Sequence, residues 1–415
     1  MTADRSTRAV RAGLGAPSGR SVDLVAPAAT ASVRAFPDLA ALDEGMDAER
    51  ATYGRHGNES VALLESALTD LETPAAGAVP VCRVTASGQA ALLLALSVLV
   101  SPSRPRVLVV RPCYGSTETL ISGPLAHFGV EVVTVDLPPP GDVGAQRGVL
   151  ARALDDSRIS CAVAEVIGNP LMNLLDVDVF TALCRECGVA SVVDSTFTTP
   201  FLLRPLEHGA DVVFHSLSKS LSGHSDVIGG AVLVGAHHRA ADWLDAHSRL
   251  LGAVLGPQGA WLTLRGLRTA PLRVERSVRN AATVASQLGA HPAVRLAHYP
   301  GRRSVEEEEL ARSLLPAGRG AMLGLDLGDR GAVERFLGAA PGIRLAPSLG
   351  DVSTTASHPG LTSHRGMSPL QRAALGIGDG LLRLSVGCEE PADLLAEVRT
   401  GLDAAGGEDG IGSTP

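Results

Sequence analysis

Lysine is nearly absent from this chain. Of the 36 lysine and arginine residues among 415, one, Lys219, is lysine and the rest are arginine. A guanidinium stays protonated at any working pH, whereas an amine can lose its proton and attack a carbonyl to form a Schiff base. An incidental lysine would be expected on a solvated surface. Lys219 instead follows the apolar run Asp211-Val-Val-Phe-His-Ser-Leu-Ser, and Ser-Leu-Ser-Gly-His-Ser-Asp-Val-Ile-Gly-Gly230 comes after it. Strand ends of this kind are where open α/β sheets place ligands, which makes Lys219 a candidate covalent catalyst.

Other scarcities exclude whole classes of function. No stretch approaches the roughly 18 consecutive apolar residues that a membrane span needs. The first residues, Met-Thr-Ala-Asp-Arg-Ser-Thr-Arg, lack the apolar centre of a signal peptide, so a soluble cytoplasmic protein is expected. The net charge of -8 and the absence of a long basic run argue against nucleic-acid binding. Six scattered cysteines suit reduced thiols rather than a disulfide framework. Cys184-Arg-Glu-Cys187 has neither a second pair nor a nearby histidine to complete a zinc site, so no metal is expected. His237-His238 and the glutamates at 306–309 read as solvated surface.

The length suits two domains. Residues 1–59 show no sustained periodicity and are expected to form an arm. From Ser60 onward Val61, Leu63, Leu64, Leu68 and Leu71 draw one helical face. Short apolar runs at 106–110, 130–135, 159–165, 189–194 and 211–214 alternate with helical or loop segments, the pattern of a mainly parallel sheet covered on both faces. The fold class is therefore α/β, with a large domain at 60–255 and a smaller C-terminal α/β domain at 256–404. The latter would open with a long helix over 258–288 and carry strands at 321–327 and 381–386. The glycine-rich segment 405–415 is expected to be a disordered tail.

Further residues complete a chemical picture around Lys219. In Thr85-Ala-Ser-Gly-Gln-Ala90, Ser87 can cap a helix whose first amides, at Gly88 and Gln89, point at an anion such as a phosphate. Asp194 ends an apolar strand, where a carboxylate requires a partner such as a protonated ring nitrogen. Arg383 stands inside the apolar run 381–386, where a guanidinium needs an anion: a substrate carboxylate, or else a structural salt bridge. A Schiff-base lysine, a carboxylate for a ring nitrogen, a phosphate cup and an arginine for a carboxylate together describe a pyridoxal 5'-phosphate site acting on amino acids.

At this point the sequence resembles the cysteine and methionine metabolism enzymes, the trans-sulfuration family of cystathionine γ-synthase, cystathionine γ-lyase and methionine γ-lyase. The most specific matches are Val193-Asp-Ser-Thr-Phe-Thr-Thr-Pro200, Arg204-Pro-Leu-Glu-His-Gly-Ala-Asp211 and the Lys219 segment. Tyr53-Gly-Arg-His-Gly-Asn58, Tyr114-Gly-Ser-Thr117, Glu165-Val-Ile-Gly-Asn-Pro170, Ser348-Leu-Gly350 and Arg383-Leu-Ser-Val-Gly387 support them.

The resemblance implies a fold type I transferase of the aspartate aminotransferase kind. It implies that Lys219 holds the cofactor and shuttles protons, that Asp194 pairs with the pyridine nitrogen, and that Asn169 contacts the ring hydroxyl. Tyr114 would stack on the ring and help move a proton at the leaving group. Ser87, Gly88, Gln89, Thr196, Ser216 and Ser218 would lie around the cofactor and its phosphate. Tyr53 and Arg55 would reach the phosphate of a neighbouring subunit, making a homodimer the smallest active unit, usually paired into a tetramer, with Tyr53 also at the substrate. Arg383 and the Ser348 backbone would bind the substrate carboxylate.

The implied reaction is γ-elimination or γ-replacement on a γ-substituted L-amino acid such as a homoserine ester, cystathionine or a methionine-like substrate. It would proceed through the Lys219 Schiff base and a vinyl intermediate. Where many cystathionine enzymes carry a glutamate that reads a distal amino group, this chain has Ser353. Where methionine γ-lyases carry cysteine after the Tyr-Gly pair, it has Ser116. These departures also fit a specialised enzyme with an unusual leaving group such as a halide or a sulfonium. A β-lyase, and a pyridoxal-phosphate protein that binds without catalysis, complete the alternatives.

Overall fold

The computed structural model describes residues 4–14, 23–47, 52–75, 77–138 and 141–407. A seven-stranded sheet forms the larger half. Its strands run across the sheet in the order Val81–Thr85, Gly230–Val234, Val212–Ser216, Ala190–Asp194, Ile159–Glu165, Arg106–Arg111 and Glu131–Asp136. Pairing is parallel from Val212–Ser216 through Glu131–Asp136. Gly230–Val234 runs antiparallel to both its neighbours, Val212–Ser216 and Val81–Thr85, on that side of the sheet.

The central strands are apolar on both sides because helices cover both sides. On one face Leu92 and Leu96 of helix Gly88–Leu99 and Leu244 of helix Ala241–Leu251 join Val109, Val163, Val192 and Val212. On the other, Leu150 and Leu154 of Gln146–Leu154 and Phe180 and Leu183 of Val177–Glu186 join Leu108, Ala162, Val193 and Val213. That second cluster continues into Val274, Val278, Ala311, Leu314 and Met322, so the two halves of the molecule share a core.

The smaller half holds a five-stranded sheet in the order Leu296–His298, Met322–Asp326, Leu381–Ser385, Thr355–Ser357 and Arg344–Leu345. Helices Ala270–Leu288, Arg330–Ala339 and Pro391–Gly406 pack on it through Val284, Leu288, Phe336, Leu394 and Val398.

Three segments differ from the sequence expectations. The helix expected over 258–288 is two, Pro257–Leu267 and Ala270–Leu288, because Pro271 in the first turn of the second requires a fresh start. Within the expected arm, helices Arg5–Val10 and Leu39–Asp47 form, and Ala9 is fully buried in the cluster that includes Leu64, Leu68 and Leu264. At the other end helix Pro391–Gly406 reaches past the expected start of the tail and buries Ala405, while 408–415 lie outside the described residues.

No helix among the described residues is long and apolar enough to cross a membrane. Three parallel strands end side by side in Glu165, Asp194 and Ser216, and it is there that the polar groups gather.

Candidate active site

A cavity of about 400 Å³ opens at these strand ends and reaches under the smaller half. Lys219 lies just beyond the strand Val212–Ser216, and its Nζ donates to Ser348 Oγ at 2.9 Å. Gly350 makes this contact between the halves possible. A Cβ there would lie 2.4 Å from the Ser220 nitrogen, and its φ of +78° already favours glycine. Burial first, and the nearby charge of Arg383 second, lower the proton affinity of the Lys219 amine.

Asp194 Oδ1 accepts from the Thr196 N–H at 2.9 Å, and Thr196 Oγ1 accepts from the Ser216 N–H at 2.9 Å. Burial holds the Asp194 carboxyl above its ordinary range. A carboxylate so withdrawn from water calls for a cation in the cavity, which a protonated pyridine nitrogen would supply.

Facing Ser216 is the start of helix Gly88–Leu99, where Ser87 Oγ accepts from the Ala90 N–H at 3.1 Å and leaves the earliest amides to an anion. This cup is closed by a close approach of main chains: a Cβ on Gly230 would sit 2.2 Å from Ser87 O and 2.8 Å from the Gly88 nitrogen. Gln89 spends its side-chain amide on Ser116 O at 2.8 Å, and Ser218 Oγ accepts from the Gly229 N–H at 3.0 Å.

Overpacking of this kind costs about 1–3 kcal/mol. We therefore expect Gly230→Ala to raise the Kd for pyridoxal phosphate by roughly 5- to 150-fold in equilibrium dialysis. An unchanged Kd would show that the cup does not carry the phosphate.

Arg383 is 4% exposed on strand Leu381–Ser385. Its Nη1 donates to Asn169 Oδ1 at 2.7 Å, its Nη2 approaches Ser348 O at 3.5 Å, and its Nε has no partner. Burial pushes the guanidinium down to about 10. Among the described residues no carboxylate makes an ion pair with it, so the structural salt bridge considered from sequence is not formed. A buried guanidinium held only by neutral oxygens, with a donor to spare, suits an incoming carboxylate.

Of the residues expected at the site, Ser87, Gly88, Gln89, Tyr114, Asn169, Asp194, Thr196, Ser216, Ser218, Lys219, Ser348 and Arg383 all line this one cavity. Three do not. Ser353 is exposed, with its hydroxyl turned to Asp351 Oδ1 at 2.8 Å, because the turn after Gly350 points it away. Tyr53 and Arg55 sit on the surface outside their own chain's cavity, the Arg55 guanidinium 5.5 Å from the Tyr53 ring centre and its Nη1 on Arg249 O at 3.0 Å.

Sequence reasoning assigned no role to Glu165, Thr362, Ser363 or His364. Thr362 and Ser363 line the cavity from the smaller half. His364 behind them is buried, with Nε2 3.1 Å from Cys113 O and Nδ1 2.9 Å from Ser363 Oγ. The carbonyl requires the proton on Nε2, so Nδ1 accepts from the serine, and burial pushes the imidazole down to about 4, keeping it neutral. Glu165 ends an apolar strand just as Asp194 does, and that signal could have singled it out.

The lysine, carboxylate, phosphate cup and carboxylate arm fit pyridoxal phosphate, and fold and site together define an enzyme of that cofactor class. Residues 6–403 match the Cys/Met metabolism PLP-dependent enzymes, and the chain belongs to that family. It is 36% identical to the L-methionine gamma-lyase of Pseudomonas putida over 96% of this chain and 97% of that protein. It is 35% identical to the cystathionine gamma-synthase of Escherichia coli, covering 98% and 99%.

Among solved structures, the cystathionine gamma synthase of Xanthomonas oryzae in complex with cystathionine superposes with a TM-score of 0.87 at 34% identity, covering 98% of this chain and 99% of that one. The O-acetylhomoserine (thiol)-lyase described from Campylobacter jejuni, with a pyridoxyl-lysine phosphate, gives a TM-score of 0.85 at 27% identity, covering 96% of this chain and all of that one. The protein is thus a PLP-dependent lyase or transferase of the cystathionine γ-synthase and γ-lyase type.

Proposed function

We propose that this enzyme performs γ-elimination or γ-replacement on an L-amino acid whose γ-substituent carries no ammonium group. The observation that carries the reading is the convergence of Lys219, Asp194 and Arg383 on one cavity. Bound pyridoxal phosphate supplies an electron sink that makes the Cα proton of an attached amino acid acidic.

The chain's own residues do the rest. Arg383, aimed by Asn169 and the Ser348 carbonyl, takes the substrate carboxylate and so fixes the orientation of the Cα–H bond. Lys219 would hold the cofactor and, as a free amine, would remove the Cα proton. Its lowered proton affinity leaves more of it as the neutral base near neutral pH. The same amine then serves at Cβ, with Ser348 Oγ as a hydrogen-bond partner that holds it near the reacting carbons. Tyr114 lines the cavity and can pass its phenolic proton to the leaving group. Asp194 keeps the ring nitrogen protonated by pairing with it.

That the γ-substituent carries no ammonium follows from where the carboxylates are spent. Both Glu165 oxygens accept main-chain N–H groups, Asp194 is committed to the ring nitrogen, and Ser353 stands outside the cavity where many cystathionine enzymes carry glutamate. Among the described residues, the cavity therefore offers no carboxylate to a distal ammonium.

A screen of purified protein against O-acylhomoserines, methionine, cystathionine, cysteine, γ-halogenated amino acids and S-adenosylmethionine tests the reading. We expect α-keto acid, or a replacement product when a thiol is added, from an O-acylhomoserine or methionine at a kcat/KM at least tenfold above that for cystathionine. Preference for cystathionine would overturn the reading of the side-chain pocket. Turnover of cysteine alone would replace γ- with β-chemistry, and no turnover of any would point to a binding protein.

A further inference from the structure

Glu165 lines the cavity at a strand end without a role in the chemistry above. Strand register sets it beside Asp194 on the neighbouring parallel strand. Its Oε1 accepts the Tyr114 N–H at 2.6 Å and its Oε2 accepts the Asn169 N–H at 2.8 Å. One carboxylate thus holds the main chain of two segments about fifty residues apart, one presenting a phenol to the cavity and the other presenting the amide that aims Arg383.

Each of these bonds joins a carboxyl oxygen to a main-chain N–H in a place withdrawn from water, where a hydrogen bond is electrostatically stronger than in solvent. A simpler residue would serve if the site were merely structural. An apolar side chain ending this apolar strand would avoid the expense of setting a second carboxylate beside Asp194. Burial first and Asp194 second hold the Glu165 carboxyl above its ordinary range. Arg383 is the cation that acts on it, although the two form no ion pair among the described residues.

We infer that Glu165 is a positioning residue that couples the carboxylate arm to the cofactor face, fixing Tyr114 and the Asn169–Arg383 pair at once through their main chains. It rests on the proposed function, in which Arg383 receives the substrate carboxylate. Glu165→Gln is close to isosteric but brings an NH₂ to one of the two N–H donors, so one anchor is lost and one kept. Glu165→Asp keeps the carboxyl and loses the reach needed to hold both.

The test uses holoenzyme and two probes that cannot eliminate: L-norleucine and pentylamine, the same skeleton without its carboxylate. Binding is followed by visible absorbance, and the bound cofactor by visible circular dichroism. Wild type is expected to favour norleucine. Glu165→Gln should bind norleucine 10- to 100-fold more weakly, bind pentylamine within threefold of wild type, and change the visible dichroism while retaining the cofactor. Glu165→Asp should show the same pattern more mildly, and it substitutes should the glutamine variant fail to fold.

A purely structural role would lower the melting temperature of both variants and leave norleucine affinity and dichroism unaltered in the folded fraction, which would overturn the inference. Wild type without a preference for norleucine would overturn the reading of Arg383 on which it rests. Wild-type preference that survives in both variants would overturn the coupling alone.

Discussion

Lys219→Ala is expected to abolish covalent cofactor attachment and to lower turnover by about 10⁴-fold or more, at or beyond the upper end of what a positioned acid-base group contributes. The effect would be large because the proposed function lays three tasks on one amine: holding the cofactor, removing the Cα proton and acting at Cβ. No other lysine exists in the chain to take over. Lys219→Arg should fail as badly, since a guanidinium keeps its proton and cannot form the Schiff base. Visible absorbance after gel filtration and a keto-acid assay read both effects. Substantial activity in the arginine variant would mean that the residue contributes only charge.

Arg383→Ala has the second-largest expected effect. Truncating one side of a buried, hydrogen-bonded charge pair costs about 2–5 kcal/mol, so kcat/KM should fall by roughly 30- to several-thousand-fold. The loss should appear in KM, through the lost grip on the carboxylate in the proposed function, and in kcat, through the lost orientation of the Cα–H bond. Cofactor content should stay at the wild-type level, since the Arg383 guanidinium contacts Asn169 and Ser348 rather than the phosphate cup. Unchanged saturation by substrate would contradict the carboxylate arm and require another anion for this 4% exposed side chain.

Lys219 was legible in the sequence as the one lysine, and Asp194 and Arg383 for a shared physical reason. A polar group at the end of, or inside, an apolar strand is expensive unless something is there to meet it. Asp194 and Arg383 announce themselves in that way, and Ser87 does so as a cap before an apolar helix. The parallel core was legible too, because strands covered on both faces are apolar throughout.

What escaped was set by distant parts of the chain. Val81–Thr85, with Arg83 in its middle, is too short and mixed to read as a strand, and its partner Gly230–Val234 lies far along the sequence. The loop with Thr362, Ser363 and His364 has no periodicity at all. It reaches the cavity because His364 anchors it to Cys113 O across 251 positions. Ser353 aligned with a functional position, yet Asp351, two residues away, holds its hydroxyl outside. Tyr53 and Arg55 sit on the surface of their own chain, where no single-chain cavity can give them a task.

The most direct test of the central claim is borohydride reduction of the protein loaded with pyridoxal phosphate, followed by intact-mass and peptide mass spectrometry. We expect one pyridoxyl phosphate per chain, on the peptide that contains Lys219. Protein that gains no such mass, or gains it at its amino terminus alone, would contradict the assignment of Lys219 as the residue that carries the cofactor.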